Sequence, residues 1–416
     1  MSATSASFVD RTEFLVELAR RLHTYGTTSP RLEAALTRSA HRLGLRCEAW
    51  SNPTGLIISF GGGLETEGGP ENTRVLRMPP GDVDLRKLCE ADAIAERVMA
   101  GELDVRAGRD LLRALARPAS RLTRWRSALA FGLTSASVAG LLGTGWAEIV
   151  TAAGIGTVIG VLTVFAGQRP RLTEASDALA ALLASFLAAA VATFVVPLAL
   201  KPVVLASLIV LLPGMMLTVA AAELTSQHLV SGTARFAGAV AVLVKLAFGT
   251  VVANEMVRLL GWVPQEAAAV APAIWLEWLA VVVAGFSFAV LFRASYRDYP
   301  LVMLAAALGY GVTRLAGMWL QIGPGDFPTG VFIAGVAITA LSNVYARWRN
   351  RPGAVIRVPG IILMVPGSSG FRSLSLLMEG EVMIGLDIAR TLALALVALV
   401  AGLLFGNLFV PARRSL

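Results

Sequence analysis

The sequence contains few charged residues and few side chains that hold metals or form disulfides. Charged residues make up 15% of the chain, whereas a soluble domain usually carries about 25%. The two cysteines, Cys47 and Cys89, are predicted to be reduced thiols. The three histidines, His23, His41 and His228, show no metal-ligand spacing. We therefore expect no metal site.

Sequence motifs of enzymes and ATP-driven pumps are also missing. The chain has neither a Walker A sequence nor a GxSxG nucleophile elbow, and no lysine follows the run Gly61-Gly62-Gly63 closely. We expect neither enzymatic activity nor a cofactor, so an ion or substrate gradient must supply the energy for any transport. The first 30 residues include Asp10, Glu13 and Glu17 and lack an apolar core, which predicts that no signal peptide is cleaved.

The chain is rich in apolar sequence, which lies almost entirely after the first quarter. Hydrophobic residues make up 56% and the mean hydropathy is +0.68. Residues 1–110 hold 14 Lys+Arg and 16 Asp+Glu, and residues 111–416 hold 22 and 12. The arginines stand singly or in short clusters between apolar runs of about 20 residues, which is typical of membrane topology rather than of nucleic-acid binding. We expect a lipid bilayer as environment and no nucleic-acid partner.

The N-terminal part reads as a small α/β domain, with an expected extent of residues 1–118. Ser29 followed by Pro30 predicts an N-cap and the first helical position of the second helix. The predicted elements are helices ending near Gly26 and Leu43, strands Leu45–Trp50, Thr54–Phe60 and Arg74–Met78, and helices Leu85–Met99 and Asp104–Leu115. We expect this domain to be cytoplasmic.

Ten apolar segments follow, and helices are the expected spanning form because lipid satisfies no open backbone group. The segments are 127–146, 149–167, 178–200, 202–222, 236–257, 271–292, 300–320, 327–346, 355–377 and 385–410. They divide into two five-span units, residues 119–262 and 263–416. The expected fold is therefore a mainly α-helical polytopic membrane protein with about ten transmembrane helices.

The charges of the loops between these segments indicate their orientation. The inner loops hold most arginines, namely Arg169, Arg171, Arg235, Arg293, Arg297, Arg347, Arg349, Arg351 and Arg357, and the tail adds Arg413 and Arg414. The outer connections are poorer in positive charge, with Lys201, Arg258 and Arg390 in or near them. This bias places both termini in the cytoplasm. Oligomeric state stays open, a homo-oligomer included.

The two five-span units share a motif. Leu212-Pro213-Gly214-Met215 in the fourth segment is echoed by Val365-Pro366-Gly367-Ser368 in the ninth, 153 residues later. Because five spans is an odd number, the second unit enters the membrane upside down relative to the first. Inverted repeats with Gly/Pro-interrupted helices at matching positions are typical of secondary transporters.

Both Pro-Gly pairs are predicted to lie near the middle of the bilayer. Pro213 is 12 residues beyond Lys201 and Pro366 is 9 beyond Arg357, or about 18 Å and 14 Å along a helix. Proline removes an N–H donor and frees a carbonyl one turn earlier. The half-helix that follows begins with unpaired N–H groups, which suit a carboxylate. The alternative is that Pro-Gly only kinks each helix.

Polar side chains near these breaks are candidate binding and coupling residues. Ser368 and Ser369 follow the ninth-segment break, and Arg372 comes one turn later. Arg372 either serves the site or extends to the outer headgroups. Lys245 falls near the midplane with no partner nearby in sequence, which makes it a candidate for charge coupling. Glu223 is a second coupling candidate, although a solvated helix end is the favoured interpretation.

Three stretches, residues 14–60, 211–239 and 358–374, resemble the threonine/serine exporter family in its single-chain form. The resemblance implies proton-driven export of threonine and serine from the cytoplasm, with protons and a small amino acid as partners. Its motifs fall on Pro213-Gly214, on Pro366-Gly367, and on Ser368, Arg372 and Ser373. Glu223 stands where an aspartate is expected, which leaves the substrate range open. The expected location is a bacterial inner (plasma) membrane.

In this interpretation the substrate carboxylate docks at Gly214 and at Gly367–Ser369, and Thr218 reads its hydroxyl group. Three alternatives are a passive channel-like pathway, a hydrolytic cytoplasmic domain and a signalling platform. The family's soluble domain has been likened to hydrolases, but no nucleophile–base pair in this sequence supports such an activity.

Overall fold

The computed structural model describes residues 6–62, 71–267, 274–320 and 327–412. The helices are α1 Phe8–Thr24, α2 Ser29–Arg42, α3 Leu85–Met99, α4 Val105–Ala114, α5 Arg121–Leu141, α6 Trp146–Ala166, α7 Pro170–Phe194, α8 Leu200–Leu208, α9 Gly214–Thr225, α10 Leu229–Leu259, α11 Ile274–Leu291, α12 Tyr299–Trp319, α13 Thr329–Arg349, α14 Ala354–Ile362, α15 Gly367–Met378 and α16 Val382–Phe409. The strands are β1 Leu45–Asn52, β2 Gly55–Gly62 and β3 Glu71–Arg77. Gly63, Arg413, Arg414 and the start of the segment predicted at 271–292 lie outside the described residues.

Helices α1–α4 and strands β1–β3 form an N-terminal unit with its own core. The strands make one antiparallel sheet in the order β1-β2-β3. Ile58 and Phe60 of β2 are fully buried together with Phe14 and Leu18 of α1. The alternation of buried and exposed residues along β2 explains why it could be predicted as a strand. The predicted α/β class of this unit is confirmed.

The predicted N-cap of α2 is wrong. Thr28 occupies the cap position and Ser29 is the first helical residue. The Ser29 side chain is 1% exposed, and its hydroxyl oxygen lies 2.8 Å from that of Ser231 in α10. A partner outside the helix therefore uses the hydroxyl group that was expected to cap it.

The remaining helices fall into a first half, α5–α10, and a second half, α11–α16. Among the described residues, eight helical stretches are long and apolar enough to cross a membrane. They are Trp146–Ala166, Pro170–Phe194, Leu229–Leu259, Ile274–Leu291, Tyr296–Trp319, Thr329–Arg349, Ala354–Met378 and Val382–Phe409. Helix α5, which begins among arginines, and the short helices α8 and α9 are not among them. The chain is thus a polytopic helical membrane protein.

Small residues bring neighbouring helices of the membrane part close together. A Cβ atom built on Gly249 of α10 would lie 2.2 Å from the carbonyl oxygen of Ala178 in α7. No side chain fits there, so α10 lies directly against the backbone of α7. Such contacts are typical of helix packing in lipid, where van der Waals packing drives association in place of a hydrophobic effect.

Candidate functional site

Each half contains one helix that is interrupted at a Pro-Gly pair. In the first half α8 ends at Leu208 and α9 begins at Gly214; in the second half α14 ends at Ile362 and α15 begins at Gly367. The prolines that precede the new helices have nearly the same backbone conformation. Pro213 has φ −80° and ψ 37°, and Pro366 has φ −83° and ψ 41°. The Pro-Gly pairs therefore break both helices in the same way.

The two breaks touch each other. A Cβ atom built on Gly214 would lie 2.9 Å from Cα of Gly367, and one built on Gly367 would lie 2.9 Å from Cα of Gly214. Both glycines are buried. At this separation neither position has room for a side chain, so the backbones of α9 and α15 are in van der Waals contact where each helix begins.

The start of each half-helix brings backbone N–H groups to this contact. The first N–H groups of a helix have no acceptor within it and carry a partial positive charge. In α15, the N–H of Gly367 donates to the carbonyl of Val365 at 2.9 Å. The next N–H groups belong to Ser368 and Ser369, whose side chains are half-buried. Two helix N-termini at one point suit an anionic group such as a carboxylate.

Thr218 lies one turn into α9 and is almost completely enclosed. It is 1% exposed, and among the described residues its hydroxyl oxygen has no hydrogen-bond partner. A buried hydroxyl group without a partner is energetically costly and unusual. A polar group of a ligand would satisfy it.

Two residues of α15 behave differently from one another. Arg372 is exposed, whereas Gly214 and Gly367 are buried. Ser373 is buried, and its hydroxyl group donates to the carbonyl of Gly385 in α16 at 2.8 Å. Ser373 therefore joins α15 to α16.

Lys245 has a partner that local sequence did not reveal. Its Nζ lies 3.7 Å from a carboxylate oxygen of Asp177 and donates to the carbonyl of Glu174 at 3.2 Å. The expectation of an unpaired lysine is wrong, because the partner comes from α7. Asp177 was missed because the predicted apolar segment begins at residue 178, whereas α7 already begins at Pro170. An acid two turns inside an apolar helix was the available signal.

Glu223 is not the solvated helix end that was expected. Its side chain is 1% exposed. One carboxylate oxygen accepts from Ser231 at 2.7 Å and from Nε of Arg235 at 2.9 Å. The other accepts from the backbone N–H of Ser29 at 3.1 Å. The N-terminal unit covers this helix end, and the sequence around Glu223 gives no sign of that cover.

Glu277 is the centre of a third cluster that sequence reasoning missed. Its side chain is 12% exposed and lies 2.9 Å from Nε of Arg314 in α12. The hydroxyl group of Tyr310 also donates to the Glu277 carboxylate. Among the described residues, no three His, Cys, Asp or Glu side chains gather as a metal site would require.

Apolar helices that are broken at matching positions, with their half-helix N-termini in contact, are typical of membrane transporters. Comparison with known proteins agrees with this class. Residues 13–257 match the family described as "Putative threonine/serine exporter", and residues 277–409 match "Threonine/Serine exporter, ThrE". The chain belongs to the threonine/serine exporter family.

Curated relatives of the chain come from fungi. A protein named pheromone-regulated membrane protein 10 from Pichia sorbitophila is 25% identical over 389 residues, which cover 90% of this chain and 38% of the relative. Its namesake from Saccharomyces cerevisiae is 25% identical over 90% of this chain and 48% of the relative. An uncharacterized protein from Schizosaccharomyces pombe is 24% identical over 92% and 46%. The chain thus spans less than half the length of these relatives. No solved structure matches it.

Proposed function

We propose that this protein is a secondary transporter that exports small hydroxy amino acids, threonine and serine, from the cytoplasm, driven by the proton-motive force. The observation that carries the proposal is the contact of two half-helix N-termini at Gly214 and Gly367. The family descriptions support the same substrates.

The two halves are proposed to be inverted five-span repeats, which gives ten spans in total. A shift of 153 residues moves the bounds of α6, Trp146–Ala166, onto those of α12, and the bounds of α9 onto those of α15. Two contacts join residues separated by that same interval. One is Gly214 with Gly367, and the other is a 2.9 Å hydrogen bond from Thr134 in α5 to Ser287 in α11. Equivalent residues that touch lie on a two-fold axis, as expected if the repeats are related by a pseudo-two-fold axis.

We place the N-terminal unit, residues 1–118, and the C-terminus on the cytoplasmic side, with the repeats at 119–262 and 263–416. The bias of arginine toward the inner loops supports this orientation. Export from the cytoplasm requires the plasma membrane, which we take to be a bacterial inner membrane.

In the proposed site, the substrate carboxylate binds at the N-termini of α9 and α15. The N–H groups near Gly214 and those of Ser368 and Ser369 are its donors. Arg372, one turn further along α15, is the candidate cation of the site. The ammonium group would lie against carbonyls freed by the prolines, that of Ile362 in particular. The unpartnered hydroxyl group of Thr218 would bind the hydroxyl group that distinguishes serine and threonine from alanine.

Proton coupling is proposed to act through the Asp177–Lys245 pair. A proton that binds Asp177 neutralises the carboxylate and removes its attraction for Lys245, 3.7 Å away. Lys245 can then interact elsewhere as α10 moves against α7. Charged residues within apolar helices are costly, so their presence favours a functional role.

The test uses purified protein in liposomes, labelled threonine and an imposed pH gradient. Gly367→Leu should abolish transport, because its Cβ alone would approach Gly214 to 2.9 Å. The matched control is Gly317→Leu in α12, where a built Cβ meets no atom within 4 Å. Full transport by Gly367→Leu would refute the site. Equilibration of threonine at an unchanged rate after collapse of the gradient would show a passive pathway instead.

A further inference from the structure

The N-terminal unit contacts both halves of the membrane part, and the two contacts differ in kind. Toward the second half, the N–H of Leu85 donates to the carbonyl of Phe292 at 2.9 Å, and the N–H of Arg86 donates to that of Arg293 at 3.3 Å. Leu85 is 1% exposed and belongs to an apolar cluster with Val302 of α12. Backbone bonds and a buried leucine together make this contact an anchor.

The contact with the first half is made by hydrogen bonds of α2, and strand β1 also lies against α10. Ser29 donates its N–H to Glu223 at 3.1 Å, and its hydroxyl oxygen lies 2.8 Å from that of Ser231. At the rim, Nε2 of His228 lies 3.1 Å from a carboxylate oxygen of Glu33. The hydrogen bonds of this contact are few and lie at the end of α9 and the start of α10.

If the N-terminal unit separated from the first half, the buried carboxylate of Glu223 would keep its charged partner. Two of the three donors to Glu223, Ser231 and Arg235, belong to the first half itself. Only the N–H of Ser29 comes from the N-terminal unit. When that unit moves away, the Glu223–Arg235 pair stays intact, so the contact can open and close at low cost.

The contact between Ser29 and Glu223 is also mechanically connected to the candidate substrate site. Helix α9 begins at Gly214, in contact with Gly367, and Glu223 lies in its last turn. A helix of 12 residues is about 18 Å long and rigid. Movement of one half against the other, which alternating access requires, therefore displaces Glu223 relative to a unit that is anchored to the second half.

We propose that the N-terminal unit is a latch that stays anchored to the second half through Leu85 and releases Ser29 from Glu223 and Ser231 in each transport cycle. The proposal rests on the transport function proposed above and assigns that function a regulator within the chain. While the latch is closed the two halves cannot move relative to each other, and substrate at the Gly214–Gly367 contact is not released.

A reversible disulfide tests the latch. In Ser29→Cys/Ser231→Cys the new thiols replace hydroxyl groups whose oxygens are 2.8 Å apart. The matched control, Ser59→Cys/Thr73→Cys, joins paired residues of β2 and β3, with oxygens 3.1 Å apart, inside the N-terminal unit. Mass spectrometry of peptides confirms that each disulfide has formed.

Burial raises the pKa of the native thiols Cys47 and Cys89 to about 12 and about 11, so they react slowly with oxidant. The oxidised latch variant should export threonine at least tenfold more slowly than its reduced form, and dithiothreitol should restore the rate. The oxidised control should export at an unchanged rate. Equal rates for the oxidised and reduced latch variant would overturn the latch and make the N-terminal unit a static platform.

A second measurement does not depend on transport. If the unmodified protein exports neither threonine nor serine, the proposed function fails, and hydrogen exchange then tests the latch alone. Ser29→Pro removes the N–H donor at a first-turn position that tolerates proline, and Ser29→Ala keeps that donor. The latch predicts faster exchange in α9 for Ser29→Pro than for Ser29→Ala, with α3 unchanged. Equal exchange in α9, or faster exchange in α3 as well, contradicts it.

Discussion

Alanine substitutions at Gly214 and Gly367 give the most direct quantitative test of the site. The Cβ of Gly214→Ala would lie 2.5 Å from a methyl group of Val365 and 2.9 Å from the Gly367 backbone, and that of Gly367→Ala would lie 2.9 Å from the Gly214 backbone and 3.5 Å from Leu212. Ordinary contacts are 3.4–4 Å, so the helices must separate. Overpacking of this kind costs about 1–3 kcal/mol. If the transport cycle requires the Gly214–Gly367 contact, this cost lowers the export rate about 5- to 150-fold.

The two substitutions should also interact. Gly214→Ala should be the more harmful, because it collides with Val365 as well as with backbone. The double variant should cost less than the sum of the single variants, since one separation of the helices accommodates both methyl groups. The assays are the initial rate of threonine export and the melting temperature in detergent, with Gly317→Ala as the control. Strictly additive effects, or a melting temperature and rate unchanged in both single variants, would refute direct contact.

Three further predictions concern other groups. Asp177→Asn should flatten the dependence of the export rate on external pH. Adding Lys245→Met should lower the export rate little further, because the two residues form one pair. Additive losses of rate would contradict the pairing. Thr218→Val should reduce the rate of threonine export about tenfold, because the substrate hydroxyl group would lose its partner at a cost of about 1–3 kcal/mol. Binding of alanine, which has no hydroxyl group, should be unchanged. Equal losses for both amino acids would exclude recognition of the hydroxyl group by Thr218. Burial lowers the pKa of His23, so the unfolded chain binds the proton more readily, and stability of the N-terminal unit should fall as the pH drops below about 6.5. His23→Gln should weaken that dependence in acid unfolding followed by circular dichroism, and an unchanged profile would contradict the assignment.

Features with local causes could be predicted from the sequence. Pro213-Gly214 and Pro366-Gly367 break their helices because proline lacks a donor and clashes with the preceding turn, whatever lies around it. The predicted strand Thr54–Phe60 lies within β2 except for its first residue, and the predicted helix Asp104–Leu115 is α4, where Asp104 is the N-cap and accepts from the N–H of Arg106.

Features set by distant contacts could not be predicted. Ser29 and Glu223 are 194 residues apart, so nothing near either one reveals that they bond. Each was therefore assigned a local role, as a helix cap and as a solvated helix end. Lys245 was left without a partner for the same reason. The 153-residue interval predicted which residues are equivalent, but only the packing shows that Thr134 meets Ser287.

The proposed coupling pair Asp177–Lys245 and the buried Glu223 all lie in the first half. An interval of 153 residues leads from Asp177 and Lys245 to Gly330 and Ala398, and from Glu223 to Leu376, so the second half has no counterpart of either group. If the two halves were identical in sequence, the inward-facing and outward-facing forms would be related by a two-fold rotation and would have equal energies. Because these charges occur in one half only, we expect the two forms to differ in energy and the protein to favour one of them before any gradient is applied.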